Sequence, residues 1–171
     1  MGAESRADAA DHRAVGGKAL IVLAIDPGTT QSAYVLFDGR RVLGGEILPN
    51  DDLKTLLREN KAGRHDFVAC EMVASYGMAV GREVFETCVW IGRFIESTAA
   101  PTILVFRKDV KMHLCHTMRA KDGNIRQALL DKHGEVGTKK NPGPLFGIRS
   151  HLWAALAVAD YAITQPPEQA T

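Results

Sequence analysis

Three side chains are the candidates for chemistry in this sequence: Asp26, Glu71 and His151. Asp26 ends an apolar run containing Ile21, Val22, Leu23 and Ile25. Burying a carboxylate there without a partner costs several kcal/mol, so packing alone does not select it. Pro27-Gly28 then imposes a turn, and Thr29 and Thr30 add hydroxyls. Taken alone, the stretch fits a hairpin with a surface Asp equally well. Glu71 lies at the far end of a second strand-like run, "FVACEMV". If the two strands are parallel neighbours, both acids emerge at one sheet edge. Like charges that close are unfavourable unless a cation neutralises them, and hard oxygen donors suit Mg2+ or Mn2+. The alternative for Glu71 is an ion pair with a nearby arginine. His151 opens "SHLWAALAVADYAI". At ~100° per residue, Ala155, Val158 and Ala162 lie within about 40° of it, a small apolar stripe that turns His151 toward the sheet; an ordinary capping or packed imidazole is the equally weighted alternative. Asp160 lies at about 180° and is excluded from the site.

The elements that must position these groups follow from periodicity. Strands are expected at 20–26, 32–38 and 41–48, joined by tight turns at Pro27-Gly28 and Asp38-Gly39 into an antiparallel meander. Asn50 is expected to cap a helix over 51–60, followed by a strand at 66–72 and a long helix over 78–98. "TILVFR" reads as a fifth strand. Asp122 is expected to cap a helix ending near Gly134, and Ser150 the final helix after the loop "GTKKNPGPLFG". Three hairpin strands followed by alternating helices and parallel strands make an α/β mixed sheet flanked by helices. In the long helix the apolar arc spans about 220° at ~100° per residue. That is about twice what packing on one sheet needs, so the side bearing Phe85 and Val89 is expected to meet a second surface.

Composition bounds what can be built. A chain of 171 residues that is 46% hydrophobic suffices for one domain, expected over 18–165. Residues 1–17 are expected to be a disordered tail and 166–171 a C-terminal tail. No apolar run approaches the ~20 residues of a membrane span, and the polar N-terminal segment fits neither signal nor transit peptide. The three cysteines, Cys70, Cys88 and Cys115, show no C-x-x-C pairing, which points to a reducing, cytoplasmic setting. His113, Cys115 and His116 lack a second pair of ligands for zinc, so structural or surface roles are expected. Residues 1–100 hold 11 basic and 14 acidic side chains, and residues 101–171 hold 10 and 6. Arg107, Lys108, Lys111, Arg119, Lys121 and Arg126, then Lys139, Lys140 and Arg149, form a phosphate-binding surface if the fold gathers them, and are ordinary solvated charge if it does not.

"LAIDPGTT", "VACEMV" and "SHLWAALAVA" occur in that order, and together they resemble the RuvC-like Holliday junction resolvases of the RNase H-like superfamily, especially those of phages. The resemblance spans roughly residues 20–163. It implies a five-stranded RNase H-like sheet, a homodimer, and cleavage of branched DNA at phosphodiesters with two Mg2+ or Mn2+ ions per site. It places Asp26, Glu71 and His151 as metal ligands. "RKDVK" and "RAKDGNI" are similar to the family's basic segment, which carries functional lysines onto Lys111 and Lys121; Arg107, Lys108, Lys139, Lys140 and Arg149 are expected DNA contacts on the charge distribution alone. The chain departs from the family where two acids three apart are usual on the last helix, having His151 and Ala154 instead. An inactive or metal-poor branched-DNA-binding protein is therefore a rival reading. "DPGTT" also resembles the phosphate loop of sugar kinases and actin-like ATPases, but those close two such domains around ATP, and no Walker loop is present, so no nucleotide cofactor is expected.

Overall fold

The computed structural model describes residues 19–75 and 77–167. The expected N-terminal tail and most of the expected C-terminal tail lie outside them. The chain order is β1 (Val22–Asp26), β2 (Gln31–Phe37), β3 (Val42–Pro49), α1 (Asn50–Arg58), β4 (Phe67–Met72), α2 (Arg82–Ser97), β5 (Thr102–Phe106), α3 (Arg107–Cys115), α4 (Asp122–His133) and α5 (Leu152–Ala162). The five strands form one mixed sheet in the order β3-β2-β1-β4-β5. β1, β2 and β3 pair antiparallel, while β4 runs parallel to both β1 and β5. This is the expected architecture.

Alternation along the strands divides the core into two layers. Val22, Ala24, Phe67, Ala69 and Val105 point to the face covered by α3, α4 and α5. Leu23, Ile25, Val68 and Cys70 point to the face covered by α1 and α2, where they meet Leu53, Leu57, Ile91 and Phe94. α5 is apolar nearly all round because it lies across the centre of the first face, with Ala155, Leu156, Ala157 and Ala159 fully buried.

Several local expectations are corrected. α2 begins at Arg82 rather than 78. The segment after β5 turns directly into a helix, α3, that the pattern did not predict; Val110 is its one buried residue. Lys121, not Asp122, stands at the N-cap of α4, and His151, not Ser150, at the N-cap of α5. Asn50 does not cap α1. It is 2% exposed, and its side chain accepts a hydrogen bond from Ser32 (2.6 Å) while donating one to the Gly28 carbonyl (2.9 Å). Those bonds satisfy a buried amide and pin the turn after Asp26, which outweighs a solvent-facing cap. Gly28 itself is required there, because a Cβ would come within 2.4 Å of the Gln31 carbonyl oxygen.

Candidate active site at the edge of β1 and β4

The register places Ile25 of β1 beside Cys70 of β4, so Asp26 and Glu71 occupy the next position of both strands. Val22 and Ala24 face the α5 side of the sheet, as do Phe67 and Ala69. The period of two therefore turns both acids to that same side. α5 starts above this edge. Ser150, just before it, has a left-handed backbone (φ 47°), a costly conformation for a residue with a side chain, and the chain direction changes there. His151 Nδ1 then lies 3.4 Å from Asp26 Oδ2, with most of the imidazole in solvent.

These groups share a cleft of about 350 Å³ lined by Asp26, Glu71, Arg107, Asp122, His151 and Ala154 among others. A second hollow of about 240 Å³ runs from Asp26 and His151 along the Pro27–Ser32 turn. Glu71 is only 9% exposed. Burial, then the charge of Asp26, pushes its carboxyl up to about 7, against the opposing pull of Arg107. Burial likewise raises Asp26, with the charge of His151, hydrogen bonding to Glu71 and the charge of Arg107 acting in the other direction. Two carboxyls crowded at a partly dry edge, each with its pKa raised by burial, form a site that gains stability from added positive charge.

Part of that charge is already supplied. Arg107, the first residue of α3, reaches Glu71 at 3.4 Å and also bonds Asp122 at the start of α4. The arginine alternative for Glu71 is thus realised, beside the convergence of acids rather than instead of it. Burial works against the guanidinium charge, but Glu71 and Asp122 more than offset this and raise its pKa. Asp122 was read from sequence only as a helix cap; its position in "RAKDGNI", next to a lysine assigned to phosphate binding, was the available signal.

The donor set of Asp26, Glu71 and His151, two oxygen-donating carboxylates and one imidazole, suits a divalent cation in kind. Among the described residues, however, no three His, Cys, Asp or Glu side chains form a ready-made cage. Ala154, where a fourth donor would stand, lines the cleft without offering one.

The other expected residues are more dispersed. Lys108 and Lys111 lie on α3, Lys121 at the start of α4, and Lys139, Lys140 and Arg149 in the segment before α5. None of these lysines is among the residues lining the acid cleft; Arg107 is the cation there. Arg149 lines an adjoining groove. Asp160 is indeed remote from the site, though not in solvent. It is 1% exposed and receives hydrogen bonds from His113 (2.9 Å), Lys132 (2.8 Å) and His133 (2.5 Å).

Solved structures share this arrangement of strands and helices. RuvC of Thermus thermophilus in complex with a Holliday junction substrate superposes with a TM-score of 0.64 at 19% sequence identity, covering 83% of this chain and 92% of that one. A second Thermus thermophilus RuvC structure gives 0.61 at 20% identity, covering 85% and 95%. At this identity the likeness is one of fold, and the chain has a RuvC-like, RNase H-like fold. No protein-family model and no curated protein matches the sequence. No helix among the described residues is long and apolar enough to cross a membrane.

Proposed function

We propose that the protein is a divalent-metal-dependent, structure-specific endonuclease that hydrolyses phosphodiesters in Holliday junctions and related branched DNA. The observation that carries this reading is the pair Asp26 and Glu71, brought to one partly dry sheet edge beneath His151 within a RuvC-like fold. Asp26, Glu71 and His151 would hold Mg2+ or Mn2+, two ions in the arrangement implied by the family resemblance. When bound, the metal supplies charge for the phosphate and a water acidic enough to attack it.

The chain's own groups account for the rest. The carboxylates of Asp26 and Glu71 provide the negative field that concentrates cations at the strand ends. Arg107 holds Glu71 in place and presents a guanidinium to the cleft, where an incoming phosphate competes with Asp122 for it. His151, exposed beside Asp26, is free to meet either the cation or the attacking water. Lys108, Lys111, Lys121, Lys139, Lys140 and Arg149 would supply sequence-independent affinity for the DNA backbone.

A homodimer completes the proposal. Phe85 and Val89, one helical turn apart on α2, are 61% and 54% exposed, on the side turned away from the sheet-facing Thr87, Ile91 and Phe94. Two-fold pairing through this face would present two active sites to opposed arms of a junction.

The test is incubation of a synthetic four-way junction with the purified protein in Mg2+ or Mn2+, read on a denaturing gel. Paired nicks near the branch point, absent with chelator and absent on linear duplex, are expected. Metal-independent binding with no nick in either cation would favour the metal-poor binding protein, the reading to which Ala154 points.

A further inference from the structure

Beside the acid cleft lies a wider groove of about 580 Å³. The two share Arg107, Asp122, His151 and Ala154, so they form one continuous depression. The groove differs from the cleft in chemistry. Ile125 and Ile148, both buried, and the half-buried Trp153 give it an apolar wall. Arg107, Arg126 and Arg149 surround that wall with guanidinium groups. The Arg126 guanidinium lies 4.8 Å from the centroid of the Trp153 ring, and Arg126 is exposed. Among the described residues, Arg107 is tied to Glu71 and Asp122, whereas neither Arg126 nor Arg149 has an ion-pair partner.

A track for phosphates alone requires cations and no apolar wall. A pocket with a flat stacked surface, an apolar side and unpaired guanidinium groups suits a planar heterocycle attached to an anionic backbone. Its volume lies within the range of pockets that enclose small organic groups. We propose that this groove seats one unstacked nucleobase of the bound strand against the Arg126–Trp153 stack, next to the phosphate at the acid cleft, with Arg149 on the adjoining backbone. The inference rests on the reading of Asp26 and Glu71 as a DNA-cleaving site, and it adds how the strand is positioned there. Base stacking is tolerant of sequence because every base has a π face. The groove therefore fixes where along the strand the phosphate sits and selects DNA in which a base is already loosened, as at a branch point.

The probe is a set of four-way junctions carrying 2-aminopurine at successive positions around the branch point, titrated with full-length protein in Ca2+ so that binding is read without cutting. With the wild-type chain, one position is expected to be quenched on binding, as its base stacks on the guanidinium and indole. With Trp153→Ala, the same base leaves the duplex without its partner and brightens, and affinity falls about 30-fold, the middle of the range for loss of one base–aromatic stack. Trp153→Phe should keep most of the quench. Arg126→Ala, which leaves the indole in place, should lose part of it and guards against a folding defect in the Trp153 variants. Equal signals from wild type and Trp153→Ala at every position, with both bound and folded, would overturn the inference alone. Failure of the wild type to bind or cut junctions would instead remove the reading on which it rests, and the inference with it.

Discussion

Asp26 and Glu71 illustrate a site built against local stability. Two carboxyls share a poorly hydrated sheet edge, and the rise of the Glu71 carboxyl to about 7 reports the cost, mainly of burial and then of its neighbour's charge. Glu71→Gln keeps the shape and removes one charge. We expect it to raise the melting temperature of the metal-free protein by ~2–4 °C, the shift that corresponds to about 1 kcal/mol in a chain of this size. Junction cleavage should fall at least ~100-fold, since about 3 kcal/mol of charge stabilisation is lost with the ligand. A melting scan and a single-turnover assay on one preparation check both halves. His151 gives the complementary case. Its ring is largely in solvent and, among the described residues, the charged group it meets is Asp26, so His151→Ala should leave the melting temperature within about 1 °C while cleavage falls ~10-fold or more. His151→Asp should recover part of that activity by restoring an oxygen donor. If the alanine variant instead melts early and cuts at the wild-type rate per folded molecule, the imidazole is a packing group.

The helices that carry these residues are fastened at a distance from them. Asp160 of α5 is bonded by His113 of α3 and by Lys132 and His133 of α4, so one buried carboxylate ties three helices together. Burial is the largest influence and opposes ionisation, but bonds from His113, His133 and Lys132, together with the Lys132 charge, hold its pKa well below the ordinary carboxylate range. A depressed folded-state pKa contributes stability above the unfolded value of about 3.9, and that stability is lost as pH falls below it. Asp160→Asn should therefore cost about 3 kcal/mol at neutral pH, as expected for breaking a buried ion pair. The gap to wild type should narrow in urea titrations repeated at progressively lower pH below about 4. A constant gap would show that the carboxylate charge is not what holds the clasp. Such ties also mark what the sequence could reveal. The meeting of Asp26 and Glu71 was legible because each lies at the far end of an apolar strand, and the approach of His151 because a helical stripe runs through Ala155, Val158 and Ala162. The roles of Asn50 and Asp160 were not. Their partners lie 18 to 47 residues away, and only the folded chain brings them together. α3 escaped notice because its segment buries only Val110 fully and so has little amphipathic pattern.

At the scale of the molecule, the exposed Phe85 and Val89 on α2 are the side chains that the proposed dimer would cover. Replacing Phe85 and Val89 by arginine changes exposed positions, so the subunit should still fold, while sedimentation should shift from dimer to monomer at micromolar concentration. A wild type that sediments as a monomer, with and without junction DNA, would rule out the dimer. The basic segments act across the same scale. Lys139→Ala with Lys140→Ala should weaken junction binding and flatten its salt dependence, because fewer counterions are released, without altering the metal requirement of cleavage. The most direct test of the central claim compares wild type with Asp26→Asn in parallel, measuring junction affinity and cleavage in Mn2+ on the same samples. The variant is expected to bind the four-way junction as well as wild type, or more tightly, and to cut it at least ~100-fold more slowly. Cleavage by Asp26→Asn at a rate near that of the wild type would contradict the account, because the acids at the β1–β4 edge would then not be the site of chemistry.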